Sequence, residues 1–333
     1  MSIREAASHP LVSIGLPVYN GMKTIREALE GLLAQDYPNL EIVVSDNSST
    51  DGTSEICREL AGRDARVRYT RTEELLPLYA NWQRVFELSR GEYFGWSAAD
   101  DVRPAGTIRK LAEALDAEPR AVMAHGPIVV ELKGTGEVLR LPNQFPSLGL
   151  DLPDRLRAYV RGIQHPTMMH GLLRRSAVER IPLLTTPAQT PKSGPYGQDY
   201  LFNLRVVALG PVVWIDEPIL RYRDRIWHGS RFDDPIGTRT RWTLRGIFQA
   251  DEIERVKYGT LLRLGRRLVA EVGTGSEPER EEGARAYSRA FRAAHAVPLM
   301  REALLSVLFK VGETFRKAWT PRHGESGHRS SVL

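Results

Sequence analysis

One cysteine, Cys57, stands among the 333 residues, which leaves no internal disulfide framework and suits a reducing compartment. No run approaches the ~20 uninterrupted apolar residues that a membrane-spanning helix needs. The opening Met1-Ser2-Ile3-Arg4-Glu5 shows no apolar core of a secretory signal. Neither G-x-G-x-x-G nor G-x-x-x-x-G-K occurs. Both absences count against a dinucleotide-dependent dehydrogenase and a P-loop ATPase. No internal repeat is found, and no basic stripe interleaved with aromatics of the kind that marks nucleic-acid modules. We therefore expect no nucleic-acid partner.

Hydrophobic residues make up 42% of the chain, ordinary for a globular protein. The length allows one large domain with an appendage, or two modest domains. The net charge of +5 is unevenly placed. Residues 1–235 carry 28 Lys/Arg against 30 Asp/Glu, whereas residues 236–333 carry 18 against 11. The basic excess thus belongs to the C-terminal part.

Apolar periodicity gives an alternating order. Strands are predicted at 11–16, 40–45, 66–70, 92–97 and 121–125, with helices at 24–34, 53–62, 79–89 and 107–117 between them. The first strand is expected to stop at Pro17, since proline cannot donate to a sheet ladder. Thr24, with Glu27 three residues on, reads as a capping box. Cys57 falls in a helical stretch, where a structural role suits it. The βαβ order implies a mostly parallel sheet with right-handed crossovers, flanked by helices: a Rossmann-like α/β fold. Ligands of such sheets bind beyond the carboxyl ends of the strands. Pro17–Asn20, Asp46–Thr53 and Asp100-Asp101 all follow strands, so all can face one crevice.

Asp100-Asp101, just past Tyr93-Phe94-Gly95-Trp96, is the sharpest chemical signal. Two adjacent carboxylates at the end of a buried strand are costly to desolvate unless a cation sits on them. Hard oxygen ligands suit Mn2+ or Mg2+ holding a diphosphate. The competing reading is a helix start before residue 107, because Asp is a common N-cap. With no glycine-rich loop to cradle phosphates, cationic charge must come from elsewhere, which favours the metal.

These residues together resemble a known family. PVYN after the first strand, DNSSTDGT after the second and a paired Asp after GEYFGW are similar to family 2 glycosyltransferases of the GT-A fold. Downstream, Tyr196-Gly197-Gln198-Asp199-Tyr200-Leu201-Phe202 resembles the segment supplying the catalytic base. Residues 208–223 resemble the last sheet segment before a closing His228-Gly229-Ser230. The resemblance covers roughly residues 11–232. It departs at Ala98, where the family often carries a further Asp two residues before the pair.

The resemblance implies an inverting transfer of sugar from a nucleoside-diphosphate sugar, most readily a UDP-sugar, to a hydroxyl on a glycan or lipid-linked acceptor. It gives Asp101 the metal, Asp100 the donor ribose or a share of the metal, and Asp199 the acceptor proton. A helix cap is the alternative for Asp199. Tyr19 offers a stacking face for the base and Asp46 an acceptor for a ring N–H, with Pro17 and Asn20 shaping the pocket. Asp51 and Thr53 hold the turn and cap the next helix. Arg71 can reach the base or the phosphates, or lie on the surface. Asn81 resembles a donor-side position. His228 is a metal ligand, a phosphate donor or a structural loop histidine.

Two rival functions stay in view. A sugar nucleotidyltransferase shares the layout but needs a glycine-rich basic loop where this chain has Pro17-Val18-Tyr19-Asn20. A nucleotide-sugar-binding scaffold without turnover is motivated by Ala98, against the retained Asp100, Asp101 and Asp199.

The expected organisation is a nucleotide-sugar half over 1–125, an acceptor half over 126–235, a helical C-terminal extension over 236–320 and a disordered tail over 321–333. Within the second half, 154–161 reads as a helix and 170–175 as a strand returning to the sheet. Residues 185–197, rich in Pro and Gly, read as a lid or a plain connection. Residues 274–278 interrupt the extension. Residues 297–317 form a basic amphipathic helix, which packs on the catalytic domain or docks on an anionic membrane. The expected location is the cytoplasm, with peripheral contact at the inner membrane face in the second case.

Overall fold

The computed structural model describes residues 9–131, 138–140, 149–162, 167–181, 198–223, 266–267, 269–271, 273 and 275–293. The first half runs β1 (Val12–Val18), α1 (Ile25–Leu33), β2 (Leu40–Asp46), α2 (Thr53–Arg63), β3 (Val67–Arg71), α3 (Leu78–Leu88), β4 (Tyr93–Trp96), α4 (Thr107–Ala117) and β5 (Met123–His125). Then come β6 (Ile128–Glu131), β7 (Val138–Arg140), α5 (Leu152–Gly162), a 3-10 turn (Thr167–His170), β8 (Leu172–Arg174), α6 (Arg175–Val178), α7 (Gln198–Leu209), β9 (Val212–Trp214) and β10 (Leu220–Arg223). A further helical run, α8, covers 277–293.

Seven strands form the central sheet in the order β3-β2-β1-β4-β8-β5-β9. Pairings β3–β2, β2–β1, β1–β4 and β5–β9 are parallel; β8 is antiparallel to both β4 and β5. The sheet is therefore mostly parallel. A second sheet of three strands, β10-β6-β7, lies after β5 in the chain.

Each face of the central sheet carries its own core, as strands buried on both sides require. On one face Ile25, Leu29 and Leu32 of α1, Leu60 of α2 and Ile108, Leu111 and Leu115 of α4 pack with Ile14, Leu16 and Ile42. On the other, Val85 and Phe86 of α3, Leu156 of α5 and Phe202 and Val206 of α7 pack with Phe94, Trp96 and Leu173. Gly15 lets α3 approach β1, since a Cβ there would stand 2.7 Å from the Val85 side chain. Ala284, Tyr287, Ala290 and Phe291 of α8 join this second core, so α8 packs on this face of the sheet.

Chain order β1, β2, β3 moves outward on one side of β1, and β4 then returns on the other. The carboxyl ends of β1 and β4 flank that reversal, where open α/β sheets bind ligands.

Three local expectations are corrected. β1 continues through Pro17 to Val18, although β1 is central. Ser97 N donates to Gly15 O on the β4 side, and parallel strands alternate their bonding direction, so the Pro17 nitrogen also points to that side. β4 ends opposite Gly15, so no ladder bond is lost there. Thr24 is the N-cap of α1 but makes no side-chain cap bond; its hydroxyl donates to Gly21 O. The predicted strand at 170–175 is shorter, at Leu172–Arg174, because His170 ends the 3-10 turn. The helix expected at 154–161 is α5, and the chain breaks at 275–276 before α8 begins. Residues 185–197, 228, 297–317 and 321–333 lie outside the described residues.

Candidate functional site

The rim of the crevice is built from loops that are stitched together before any ligand arrives. After β1, Asn20 adopts a left-handed backbone (φ 50°), a conformation Asn tolerates because its short side chain bonds locally. Asn20 N donates to Ser49 Oγ at 2.9 Å, and Asn20 Oδ1 accepts the Thr50 amide at 2.8 Å. Gly21 N donates to Thr53 Oγ1 at 2.9 Å and Met22 N to Asp51 Oδ2 at 3.0 Å. Asp51 also accepts from the Thr53 amide and hydroxyl, so both residues hold the turn. Tyr19 stands on this rim with half its surface exposed, whereas Pro17 is buried.

Asp46 ends β2 and is fully buried. Its Oδ1 accepts the Ser49 amide at 2.9 Å; its Oδ2 accepts Ser54 Oγ at 2.6 Å and Tyr69 OH at 2.9 Å. Burial pushes this carboxyl up, but the donors from Ser49, Ser54 and Tyr69 outweigh it and hold the pKa below the usual carboxylate range. Asp46 thus shapes the loop from inside. Its neighbour Asn47 pairs with the Leu76 peptide, donating to its carbonyl at 2.9 Å and accepting its N–H at 2.8 Å. Arg71 donates to Ser54 Oγ at 3.1 Å and Ser49 O at 2.9 Å, so its guanidinium braces the same loop. Asn81 is buried and pairs with Ser45, accepting its hydroxyl at 2.6 Å and donating to its carbonyl at 3.0 Å.

The carboxylate pair sits on a tight turn beyond β4. Asp101 N donates to Ala98 O, and Val102 bridges to Arg221 at the start of β10 by bonds of 3.1 and 2.8 Å. Asp100 is half-buried and Asp101 buried, at 6% exposure. Among the described residues no group of three or more His, Cys, Asp or Glu is arranged to hold a metal. The pair nevertheless fits a hard divalent cation that takes its other ligands from diphosphate oxygens and water, because its donors are carboxylates alone. Asp199 lies in the first turn of α7, and His228 falls outside the described residues.

The structure therefore brings Pro17, Tyr19, Asn20, Asp46, Arg71, Asp100 and Asp101 to one edge of the sheet, by register: Val18 opposes Asp46, Asp46 opposes Arg71, and Gly15 opposes Trp96. Sequence reasoning missed Asn47 and Arg103. Arg103 is 2% exposed and donates from Nη2 to Trp96 O and His170 O, both at 2.7 Å. Its one signal is an arginine two residues past the carboxylates, just before Pro104.

Among the described residues no helix is long and apolar enough to cross a membrane.

Known proteins resemble this chain in sequence and in fold. A family model described as glycosyl transferase family 2 matches residues 13–181, half of the chain. An uncharacterized glycosyltransferase of Haemophilus influenzae is 26% identical over 232 residues, covering 67% of each chain. Glycosyltransferase GlyG of Streptococcus pneumoniae is 33% identical over 101 residues, 30% of this chain and 34% of that protein. Uncharacterized protein Rv1520 of Mycobacterium tuberculosis is 26% identical over 245 residues, 71% of this chain and 65% of that protein. The chain thus spans about two thirds or less of these relatives' own lengths. Residues 1–349 of TarS from Staphylococcus aureus, crystallised with UDP, superpose with a TM-score of 0.57 at 15% identity, covering 85% of this chain and 72% of that one. At that identity the likeness speaks for the fold. With its paired carboxylates at the switch point of a mostly parallel sheet, and with half its length matched by the family model, this chain belongs to glycosyl transferase family 2 and is a transferase of the GT-A fold.

Proposed function

We propose that the protein moves a sugar from a nucleoside-diphosphate sugar to a hydroxyl acceptor by direct displacement, with inversion at the anomeric carbon. The observation that carries this reading is the placement of Asp100 and Asp101 on the same sheet edge as the Tyr19, Asp46 and Arg71 loops. The Tyr19 ring stacks on the base, and Pro17 and Asn20 set the width of that pocket. Asp46 and Arg71 keep the loop after β2 rigid from within. Asp100 takes the donor ribose or shares the cation; Asp101 anchors the cation, with His228 as a further ligand.

A bound Mn2+ or Mg2+ supplies charge that neutralises the departing diphosphate. Asp199 accepts the acceptor proton; the acceptor oxygen bonds to the anomeric carbon as the bond to the diphosphate oxygen breaks, and that oxygen keeps the electron pair. The half over 1–125 binds the donor and the half over 126–235 the acceptor, a glycan or lipid-linked hydroxyl. A cytoplasmic enzyme with residues 297–317 at the inner membrane face meets such an acceptor.

UDP-sugars come first among donors to test, since a protein of similar fold was crystallised with UDP-GlcNAc. The experiment is thermal melting of the full chain with a panel of nucleotide sugars, each with and without MnCl2. Bound ligand raises the melting point by mass action. A Mn2+-dependent rise with one donor, followed by release of its nucleoside diphosphate, supports the reading. No rise with any member overturns it.

A further inference from the structure

Arg103 occupies an unusual place for an arginine. Its side chain is buried among the ends of strands, two residues past Asp101. Nη2 bridges two carbonyls at 2.7 Å each: Trp96, the last residue of β4, and His170, the residue that closes the 3-10 turn before β8. Its backbone is pinned as well. Gln35 Nε2 donates to the Arg103 carbonyl at 3.4 Å and the Pro104 carbonyl at 2.9 Å, and Gln35 Oε1 accepts the Ile108 amide at 3.1 Å. With the Val102–Arg221 bridge, the turn carrying both carboxylates is fastened on three sides.

A buried cation needs a reason to be there, since replacing such groups with apolar side chains is often neutral or stabilising. The Arg103 guanidinium is cationic at neutral pH, and Asp101, buried two residues back in the chain, carries the opposite charge. Its other near neighbour, His170, is held neutral: burial, then Arg103 and His125, push it down to about 3. Asp101 is thus the charge that answers Arg103. Arg103 Nε and Nη1, Ser97 Oγ and His170 Nδ1 are buried without a hydrogen-bond partner among the described residues. A polar knot therefore lies inside the sheet end, next to the carboxylate turn and outside the donor loops. An arginine kept only for packing would be a poor choice here.

We propose that Arg103 is the positioning residue of the carboxylate turn: it locks the backbone from Ala98 to Val102 through Trp96 and His170 and supplies the standing positive charge against which Asp101 is held. Asp101 then keeps its place whether or not a divalent cation is bound, so the anchoring carboxylate is set before the cation arrives. The inference rests on the reading of the pair as a cation-assisted diphosphate site.

The test is isothermal titration of UDP into the full chain with and without MnCl2, for wild type, Arg103→Met and Arg103→Lys, beside their melting temperatures. The readout is the gain in UDP affinity that Mn2+ brings. Arg103→Met is expected to keep metal-free UDP affinity and lose about 10-fold or more of the gain, the size of effect seen for groups that orient metal ligands. Arg103→Lys keeps the charge but its shorter side chain places the ammonium short of the Nη2 position that bridges both carbonyls, and it is expected to lose a smaller part. A purely structural arginine lowers the melting temperature and leaves the gain unchanged, which overturns the proposal. Should Arg103→Met fail to fold, Arg103→Lys decides: a reduced gain at unchanged metal-free affinity supports positioning, and an unchanged gain overturns it. A wild type with no Mn2+-dependent gain overturns the cation reading and this inference with it, whereas a wild-type gain retained in both variants overturns this inference alone.

Discussion

Asn47 pairs edge-on with the Leu76 peptide, its amide donating to the carbonyl at 2.9 Å and accepting the N–H at 2.8 Å. The pairing ties the loop after β2 to the loop after β3, two of the segments that border the crevice. It needs an amide, because one side-chain atom must donate while the other accepts. Asn47→Asp keeps the shape, removes the donor and sets a carboxylate against the Leu76 carbonyl. A buried hydrogen bond lost this way costs about 1–3 kcal/mol. We expect a lower melting temperature and weaker nucleotide binding, both read from UDP-dependent melting curves. Unchanged curves would show that the two loops hold without this pair.

Asp101→Asn is nearly isosteric and removes the charge from the buried member of the carboxylate pair. The fold should survive, with a far-UV circular dichroism spectrum like that of the wild type. Mn2+-dependent UDP affinity should fall about 10-fold or more, since losing a ligand costs at least as much as losing the groups that orient one. Undiminished affinity in the mutant removes Asp101 from the cation site.

Asp199→Asn separates chemistry from binding. Asp199 lies in the first turn of α7, a different element from the loops assigned to the donor. Donor affinity should stay within a few-fold and turnover should fall roughly 10²-fold or more, as for loss of a general base. Turnover near wild type assigns Asp199 to capping α7 and the proton to another group.

Much of the fold was legible because periodicity and turn chemistry agree over the first half. Ile25, Leu29 and Leu32 all face the core as their spacing required. The edge that gathers Tyr19, Asp46, Arg71 and the Asp100-Asp101 turn also follows from strand order alone. What the chain order could not reveal are relations between distant segments. The short strand β8 slips antiparallel between β4 and β5, and nothing in residues 172–174 marks that register. Pro17 was misjudged because the side of β1 left open by the early end of β4 is invisible locally. Asp46 accepts three hydrogen bonds, from Ser49, Ser54 and Tyr69, that its place in a loop motif does not announce. Arg103 was passed over because a lone arginine reads as surface until its two carbonyl partners, contributed by Trp96 and His170, come together.

Cys57 should be chemically silent in the native protein. It is fully buried in α2, and burial, with Asp46 nearby, pushes its thiol up to about 12. The thiolate is the reactive form. Ellman's reagent should find no thiol in native protein and one per chain in guanidinium chloride. Rapid native labelling at neutral pH would mean that α2 opens locally.

Stability should fall in two stages as the solution is acidified. His170 titrates at about 3 when folded, pushed down first by burial and then by Arg103 and His125, against a bond to the Trp96 carbonyl. In the unfolded chain a histidine titrates near ~6.5. Below that pH the unfolded state takes a proton that the native state refuses, so stability declines as pH falls from ~6.5, by up to about 1.4 kcal/mol per pH unit. Glu41 and Asp46 act later. Burial raises both, but Glu41 is held down by Ser13, Arg90 and Arg68, and Asp46 by Ser49, Ser54 and Tyr69. Their folded values lie below the unfolded ones, so their contribution is full above the unfolded carboxylate range, near ~4, and is lost as pH falls through the folded values. His170→Gln keeps a side-chain donor for Trp96 and removes the titration. Urea unfolding from pH 7.5 to 4 should show the mutant flat where the wild type already slopes, between about pH 6.5 and 5, with both declining together near pH 4. Parallel curves throughout would assign the upper slope to another group and leave His170 as a packing residue.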